Sequence, residues 1–138
     1  MVLRVLDAVA QAKSTGMVIL CGPPWEEVRL NPPLHQRIAS GEVKWVENGA
    51  TPCRSVVQAL DTEGARPPVL VTTADHALLS GPLIDHFCTE ALKRPVDVVV
   101  GLAPHELVMR RFPETRRTAL KLKDGGYCSC SLFAFMSR

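Results

Sequence analysis

One carboxylate in this sequence stands where an α/β protein puts its chemistry. Val69-Leu70-Val71 is an apolar run introduced by Pro67-Pro68, and the chain then turns polar as Thr72-Thr73-Ala74-Asp75-His76. A short apolar run of this kind reads as a strand, and the polar residues fall where it leaves the core. In open α/β sheets, ligands bind in the crevice beyond the carboxyl ends of the strands. A carboxylate held there can take Mg²⁺, a hard ion that prefers oxygen ligands and shares phosphate oxygens. Asp is also a common turn residue, and capping the turn after the strand is the plainer role for Asp75. Spacing alone does not choose between the two.

The other reactive residue types form no recognisable constellation. His35, His76, His86 and His105, taken with the cysteines, show no zinc-ligand spacing. Cys128 and Cys130 lie two apart, on one face of a strand, and read as buried structural thiols. Asp85 and His86 read as solvated face residues of a helix. Arg110-Arg111 and Arg116-Arg117 offer charge for an anionic substrate, but basic residues near helix ends commonly face water and complement the dipole, which is the reading preferred here.

The elements that must position Asp75 alternate between helix and strand. Val2, Leu3, Val5, Leu6, Val9 and Ala10 recur at helical spacing and predict an amphipathic helix ended by Ser14-Thr15-Gly16. Strands are predicted over 17–21, where Gly22-Pro23-Pro24 stops the run, and over 43–46, 69–73, 96–102, 118–123 and 130–135. Helices are predicted over 34–39, from Ser55 onward with a cap near Thr51, over 80–93 with Ser80 as cap, and over 105–112. The 118–123 strand should turn at Asp124-Gly125-Gly126. Central strands apolar on both faces, alternating with helices, predict a three-layer α/β/α domain with a mostly parallel, Rossmann-like sheet.

Bulk properties narrow the class. At 138 residues the chain predicts one domain large enough for its own core. A net charge of +2, with basic residues scattered and not interleaved with aromatics, argues against nucleic acid as a partner. Five cysteines without a CxxC pair predict reduced thiols in a cytoplasmic protein. Arg4 and Asp7 interrupt the first apolar stretch, so no signal peptide is read there, and no run approaches the ~20 apolar residues that span a bilayer.

Three segments, in order, carry a family resemblance. The stretch from Val69 through Thr72-Thr73-Ala74-Asp75-His76 to Leu78-Leu79 resembles the metal-binding strand end of nucleotidyltransferases with the glycosyltransferase-A type of fold. That group includes the MobA-like guanylyl- and cytidylyltransferases of molybdenum cofactor and the cytidylyltransferase of isoprenoid synthesis. Asn48-Gly49-Ala50-Thr51-Pro52-Cys53-Arg54-Ser55-Val56 is similar to the segment that touches base and ribose in them. Arg116-Arg117-Thr118, Asp124-Gly125, Tyr127 and Leu132-Phe133 match a subgroup whose members read Tyr-Ser-Gly-Cys-Asn-Leu-Phe near the end. The resemblance implies Mg²⁺ bound by Asp75 as the catalytic carboxylate, and a nucleoside triphosphate, CTP or GTP, held by Gly49, Arg54, Ser55, Thr73 and Ala74. It further implies a small-molecule acceptor and transfer of an NMP to its phosphate or hydroxyl, with release of pyrophosphate.

The same resemblance exposes departures. The family's defining loop, roughly Leu-Ala-Gly-Gly-x-Gly-x-Arg-Met, cradles the triphosphate with backbone N–H groups, and it has no counterpart here. Gly22-Pro23-Pro24 does not replace it, because prolines lack those donors. The helix at residues 2–13 matches the one that follows the loop, which predicts that this sequence begins just downstream of it. The first strand, normally beside the one carrying Asp75, would then be missing, leaving two unpaired edges unless the sheet re-pairs or another chain, such as a second copy, fills the gap. Ser129 and Ser131 replace the subgroup's Gly and Asn, and the sequence stops before the family's second metal-binding carboxylate. The alternative to an active enzyme is thus a non-catalytic nucleotide-binding or interaction domain of the same ancestry.

Overall fold

The computed structural model describes residues 1–137. The chain opens with helix α1 (Val2–Gln11), whose apolar spacing turns Val5, Leu6 and Ala8 inward. Thr15 closes its end, the hydroxyl donating to the carbonyls of Val9 at 2.9 Å and Ala12 at 3.1 Å. Strand β1 (Ile19–Gly22) follows, then the single-turn helix α2 (Trp25–Val28) and α3 (Pro32–Ala39). Pro32 and Pro33 suit the first turn of α3 because no N–H is needed there, and Asn31 caps it by accepting from the Leu34 N–H at 3.3 Å. Strand β2 (Lys44–Glu47) returns beside β1 in parallel, Ile19 opposite Lys44 and Gly22 opposite Glu47.

The second half is built on a different sheet. Helix α4 (Pro52–Glu63) leads to β3 (Val69–Thr72), then α5 (Gly81–Leu92), β4 (Val98–Pro104), α6 (His105–Arg111), β5 (Leu120–Leu122) and β6 (Gly125–Phe135). β6 lies between β3 and β4 and runs antiparallel to both, while β5 joins β6 as a hairpin through the expected turn. The α/β class read from the sequence is thus the observed one. The single, mostly parallel sheet is not: a parallel pair, β1 and β2, stands apart from a four-stranded antiparallel sheet. A strand flanked on both sides shows the same apolar run whichever way its neighbours point, so the direction of β6 was invisible in its composition. Its length was also underread, because the polar Ser129 and Ser131 interrupt a strand that begins at Gly125.

Helices cover both faces of the parallel pair. On β1, Leu20 packs with Leu6, Val28, Leu34 and Val43. The next residue, Cys21, points the other way, its thiol donating to the Ser55 carbonyl of α4 at 3.4 Å. Burial pushes that thiol's pKa up. A second core joins α1 to the antiparallel sheet: Val5, Ala8 and Ala12 meet Leu79, Ile84 and Leu132, with Leu70 and Phe87 against them. One ten-residue helix is therefore shared by both cores.

Polar contacts fix α1 to its neighbours on either side. Asp7 pairs with Arg37 of α3. The Ser14 N–H donates to the Asp85 carboxylate of α5 at 2.8 Å, and that bond holds the carboxyl below its ordinary range. Asp85 is thus a tie and not the solvated face residue its spacing suggested, since its partner lies 71 residues away. Beneath α1 the two sheets do not meet: β1 pairs with β2 alone and β3 with β6 alone. The strands nearest this opening pay in burial, for none of the four residues of β3 is fully covered.

Gly81 is where α1 and α5 come closest. A Cβ placed there would lie 3.0 Å from the Gln11 carbonyl carbon and 3.1 Å from its oxygen. Gly81→Ala is expected to push α1 away from α5 and to destabilise the fold by about 1–3 kcal/mol. Gly16→Ala, where nothing lies within 4 Å, should leave urea unfolding nearly unchanged.

Candidate functional site

β3 ends at Thr72, and Thr73, Ala74 and Asp75 form an exposed turn. Backbone bonds close it: the His76 N–H donates to the Thr73 carbonyl at 3.3 Å and the Leu79 N–H to the His76 carbonyl at 3.1 Å. Leu79 is buried in the core, and Ser80 caps α5 through the Leu83 N–H at 3.4 Å. The turn is therefore held by a strand on one side and an anchored helix on the other. No hydrogen bond or ion pair engages the Asp75 carboxylate among the described residues. The turn-capping role that Asp commonly plays is filled here by the backbone itself.

His76 sits beside that carboxylate. Its Nδ1 lies 3.4 Å from the Thr72 hydroxyl. Burial lowers its pKa from the ordinary 6.5, and the Asp75 charge partly opposes the shift. No group of three or more His, Cys, Asp or Glu side chains arranged to hold a metal occurs among the described residues.

The Gly49 segment follows the carboxyl end of β2. The Asn48 N–H donates to the Gly22 carbonyl at 2.8 Å, extending the parallel pairing by one residue. The Gly49 N–H then donates to the Ser55 hydroxyl at 3.0 Å, and that hydroxyl donates to the Thr51 carbonyl at 3.1 Å. Thr51 caps α4 by accepting from the Arg54 N–H at 3.3 Å. Gly49 is needed for this approach, because a Cβ there would stand 3.2 Å from the Arg54 Cβ and the Ser55 nitrogen. Ser55 is buried and its hydroxyl is occupied within the loop. It shapes the segment, and the exposed groups left to face a ligand are Arg54 and the backbone of residues 48–51. Arg54 lines a shallow cleft of about 300 Å³ with Cys53, Val57 and Gln58.

The structure thus assembles the expected site residues as two groups. Gly49, Arg54 and Ser55 lie at the end of β2, and Thr73, Ala74 and Asp75 at the end of β3, in separate sheets with no bond between them. A third feature was not singled out from the sequence. His105, Met109, Thr115, Arg116, Arg117 and Thr118 line a cleft of about 360 Å³ just past the end of β4. Arg116 and Arg117 had read as water-facing helix-end residues, but α6 ends at Arg111 and they lie beyond it. The available signal was that two adjacent arginines stood near His105 with no acidic residue among 115–118.

The profile of the MobA-like NTP transferase domain matches residues 1–123. The chain belongs to that family. The match contains both the Gly49 and the Asp75 segments. Among solved structures, this MobA-like domain is similar to a hypothetical transferase from Thermus thermophilus, at 26% identity and a TM-score of 0.70. The similarity covers 99% of this chain and 52% of that one, so the chain spans about half the length of the structure it matches. No curated protein matches it. Family membership makes this a nucleotidyltransferase-type domain, and no helix among the described residues is long and apolar enough to cross a membrane.

The contact between His76 and Asp75 can be read by titration. The folded imidazole should titrate below 6.5, and Asp75→Asn should lower it further by removing the charge that favours the imidazolium. Because the unfolded chain then holds the proton more readily, stability should rise as pH rises toward 6.5 and level off above it. An NMR titration of His76 in both proteins checks the order. A higher value in Asp75→Asn would refute the placement of the carboxylate.

Proposed function

We propose that this domain binds a nucleoside triphosphate, CTP or GTP, with Mg²⁺ at Asp75, and supports transfer of the NMP to a phosphate or hydroxyl of a small-molecule acceptor. The observation that carries the reading is the Asp75 carboxylate: exposed at the carboxyl end of β3, locked between strand and helix, and engaged by no protein partner. A free carboxylate on so constrained a turn is poorly explained by folding alone.

The residues fit a magnesium ion bound jointly with substrate. Mg²⁺ keeps several waters and is commonly held by one or two carboxylates plus phosphate oxygens, so a single exposed carboxylate suffices when the nucleotide supplies the rest. Bound there, the ion would neutralise charge on the phosphates and orient the leaving group. The chain's own residues would do the positioning. The backbone at Gly49, shaped by Ser55, would approach base and ribose closely. Arg54 would offer its guanidinium to anionic oxygen, and Thr73 and Ala74 would border the metal side of the nucleotide. In the transfer, an acceptor oxygen forms a bond to the α-phosphorus as the bond to the bridging oxygen of pyrophosphate breaks. An acceptor hydroxyl gives up its proton in the step, whereas an acceptor phosphate has none to lose.

A second reading keeps nucleotide binding without turnover. It is favoured by the sequence around Gly22-Pro23-Pro24, where the chain lacks the backbone donors of a triphosphate-cradling loop. Under either reading the five free thiols support a reducing compartment such as the cytoplasm, and self-association would be one means of covering the open edges of β1 and β3.

Thermal unfolding with Mg²⁺ and CTP, GTP or ATP tests the proposal. At least one nucleotide should raise the midpoint by several degrees, and Asp75→Ala should abolish the rise. Pyrophosphate release with candidate acceptors separates the two readings. A complete lack of Asp75-dependent protection would remove both.

A further inference from the structure

We propose that the cleft beyond the end of β4 binds the phosphate group of the acceptor, so that this domain modifies a phosphorylated small molecule. The inference rests on the nucleotidyltransferase reading for the word acceptor, but the anion site itself stands on separate residues.

The lining has the chemistry of an oxyanion site. Two guanidinium groups, Arg116 and Arg117, an imidazole, His105, and the hydroxyls of Thr115 and Thr118 surround about 360 Å³, and no carboxylate lines it. Guanidinium donors match phosphate oxygens in pairs, and two of them with an imidazole suit a dianion. The side chains of Arg116, Arg117 and His105 make no hydrogen bond or ion pair among the described residues. The contrast with Arg110 is informative: on the same stretch of chain it is taken by Glu106 at 2.7 Å.

The wall is held in place. After α6, the Thr115 N–H and hydroxyl both donate to the Phe112 carbonyl, at 3.1 Å and 2.8 Å, folding the chain back on the helix. Met109 of α6 supplies an apolar side. The volume falls at the small end of the range for small-molecule pockets, which suits a headgroup better than a whole nucleotide.

Position ties the cleft to Asp75. β3 and β4 both run antiparallel to β6, so they point the same way. Thr72 stands opposite Leu132, and Leu102 opposite Ser129, so Asp75 and His105 each follow their strands out of the same end of the sheet. One strand separates β3 from β4, which sets them about 10 Å apart. Between them β6 departs from regular pairing: the register shifts between Val100 and Leu102, and Ser131 adopts a positive φ of 52°, its N–H donating to the Ser129 hydroxyl at 3.2 Å. Bulges of this kind concentrate beside binding sites, where they re-aim the chain. A small molecule lying across β6 could place one end at the nucleotide and its phosphate in the cleft.

The phosphate chemistry has two sources, the acceptor or the nucleotide's own triphosphate, and the experiment separates them. Inorganic phosphate and glycerol 2-phosphate are titrated by NMR, following the His105 and arginine side-chain signals, into the wild type, Arg116→Gln/Arg117→Gln and Asp75→Ala. Mg²⁺-nucleotide affinity is measured on the same proteins by calorimetry. The arginines are exposed, so their replacement should leave the fold intact, as the unchanged His76 signal would verify. We expect phosphate binding to weaken at least tenfold in the double variant with nucleotide affinity unchanged, and the reverse pattern in Asp75→Ala. Equal loss of phosphate and nucleotide in the double variant would assign the cleft to the triphosphate and overturn the acceptor reading. Silence of His105 and both arginines toward phosphate would overturn the anion site. Failure of nucleotide binding in the wild type, with phosphate still bound in the cleft, would strike only the nucleotidyltransferase reading.

Discussion

The architecture depends on one apolar contact made twice. α1 buries Leu6 against the parallel pair and Val5, Ala8 and Ala12 against the antiparallel sheet. A helix is about 10 Å across, so two sheets that pack on one such helix are brought near without having to touch. That is how β1 and β3 come to face each other with no hydrogen bonds between them. Unpaired strand edges are normally covered, closed or blunted, because their donors and acceptors otherwise rely on water or recruit another chain. Here the apolar surface that would hold a continuous sheet together is concentrated on α1. Its polar ties, Asp7 to Arg37 and Ser14 to Asp85, secure a helix whose displacement would uncover two cores at once.

The candidate site inherits that division. The Gly49 segment belongs to the parallel pair, and the Asp75 turn and the His105–Arg117 cleft belong to the antiparallel sheet. Each follows the carboxyl end of a strand and each is stiffened locally, by the Ser55 hydroxyl, by the Leu79 anchor and by the Thr115 turn respectively. Any ligand that engages both Gly49 and Asp75 would reach from one sheet to the other, and its affinity would depend on α1 even though α1 contributes no residue to either segment.

Much of the site was readable because its residues are locally specified. Asp75 stood out since a strand that turns abruptly from Val-Leu-Val to Thr-Thr-Ala-Asp marks its own end. The structure adds that the turn does not need the carboxylate, a fact that depends on where two backbone N–H groups point. Ser55 was read as a group facing a ligand, whereas its hydroxyl lies buried between Gly49 and Thr51. Sequence spacing shows that such a hydroxyl is near a loop but not which way it rotates. Arg116 and Arg117 looked ordinary because their significance lies in what is missing around them, namely any carboxylate to answer their charge.

The amino-acid sequence by itself determined the alternation of helix and strand, the capping at Asn31, Thr51 and Ser80, the carboxylate at the end of β3 and the hairpin before β6. These follow from interactions within a few residues, where periodicity, prolines and capping side chains act directly. Only the tertiary structure decided that β6 runs antiparallel between β3 and β4, that α1 serves both cores, and that Asp85 holds Ser14 from 71 positions away. Those outcomes come from pairings across the chain, and an apolar strand or helix looks the same in sequence whichever neighbour finally covers it.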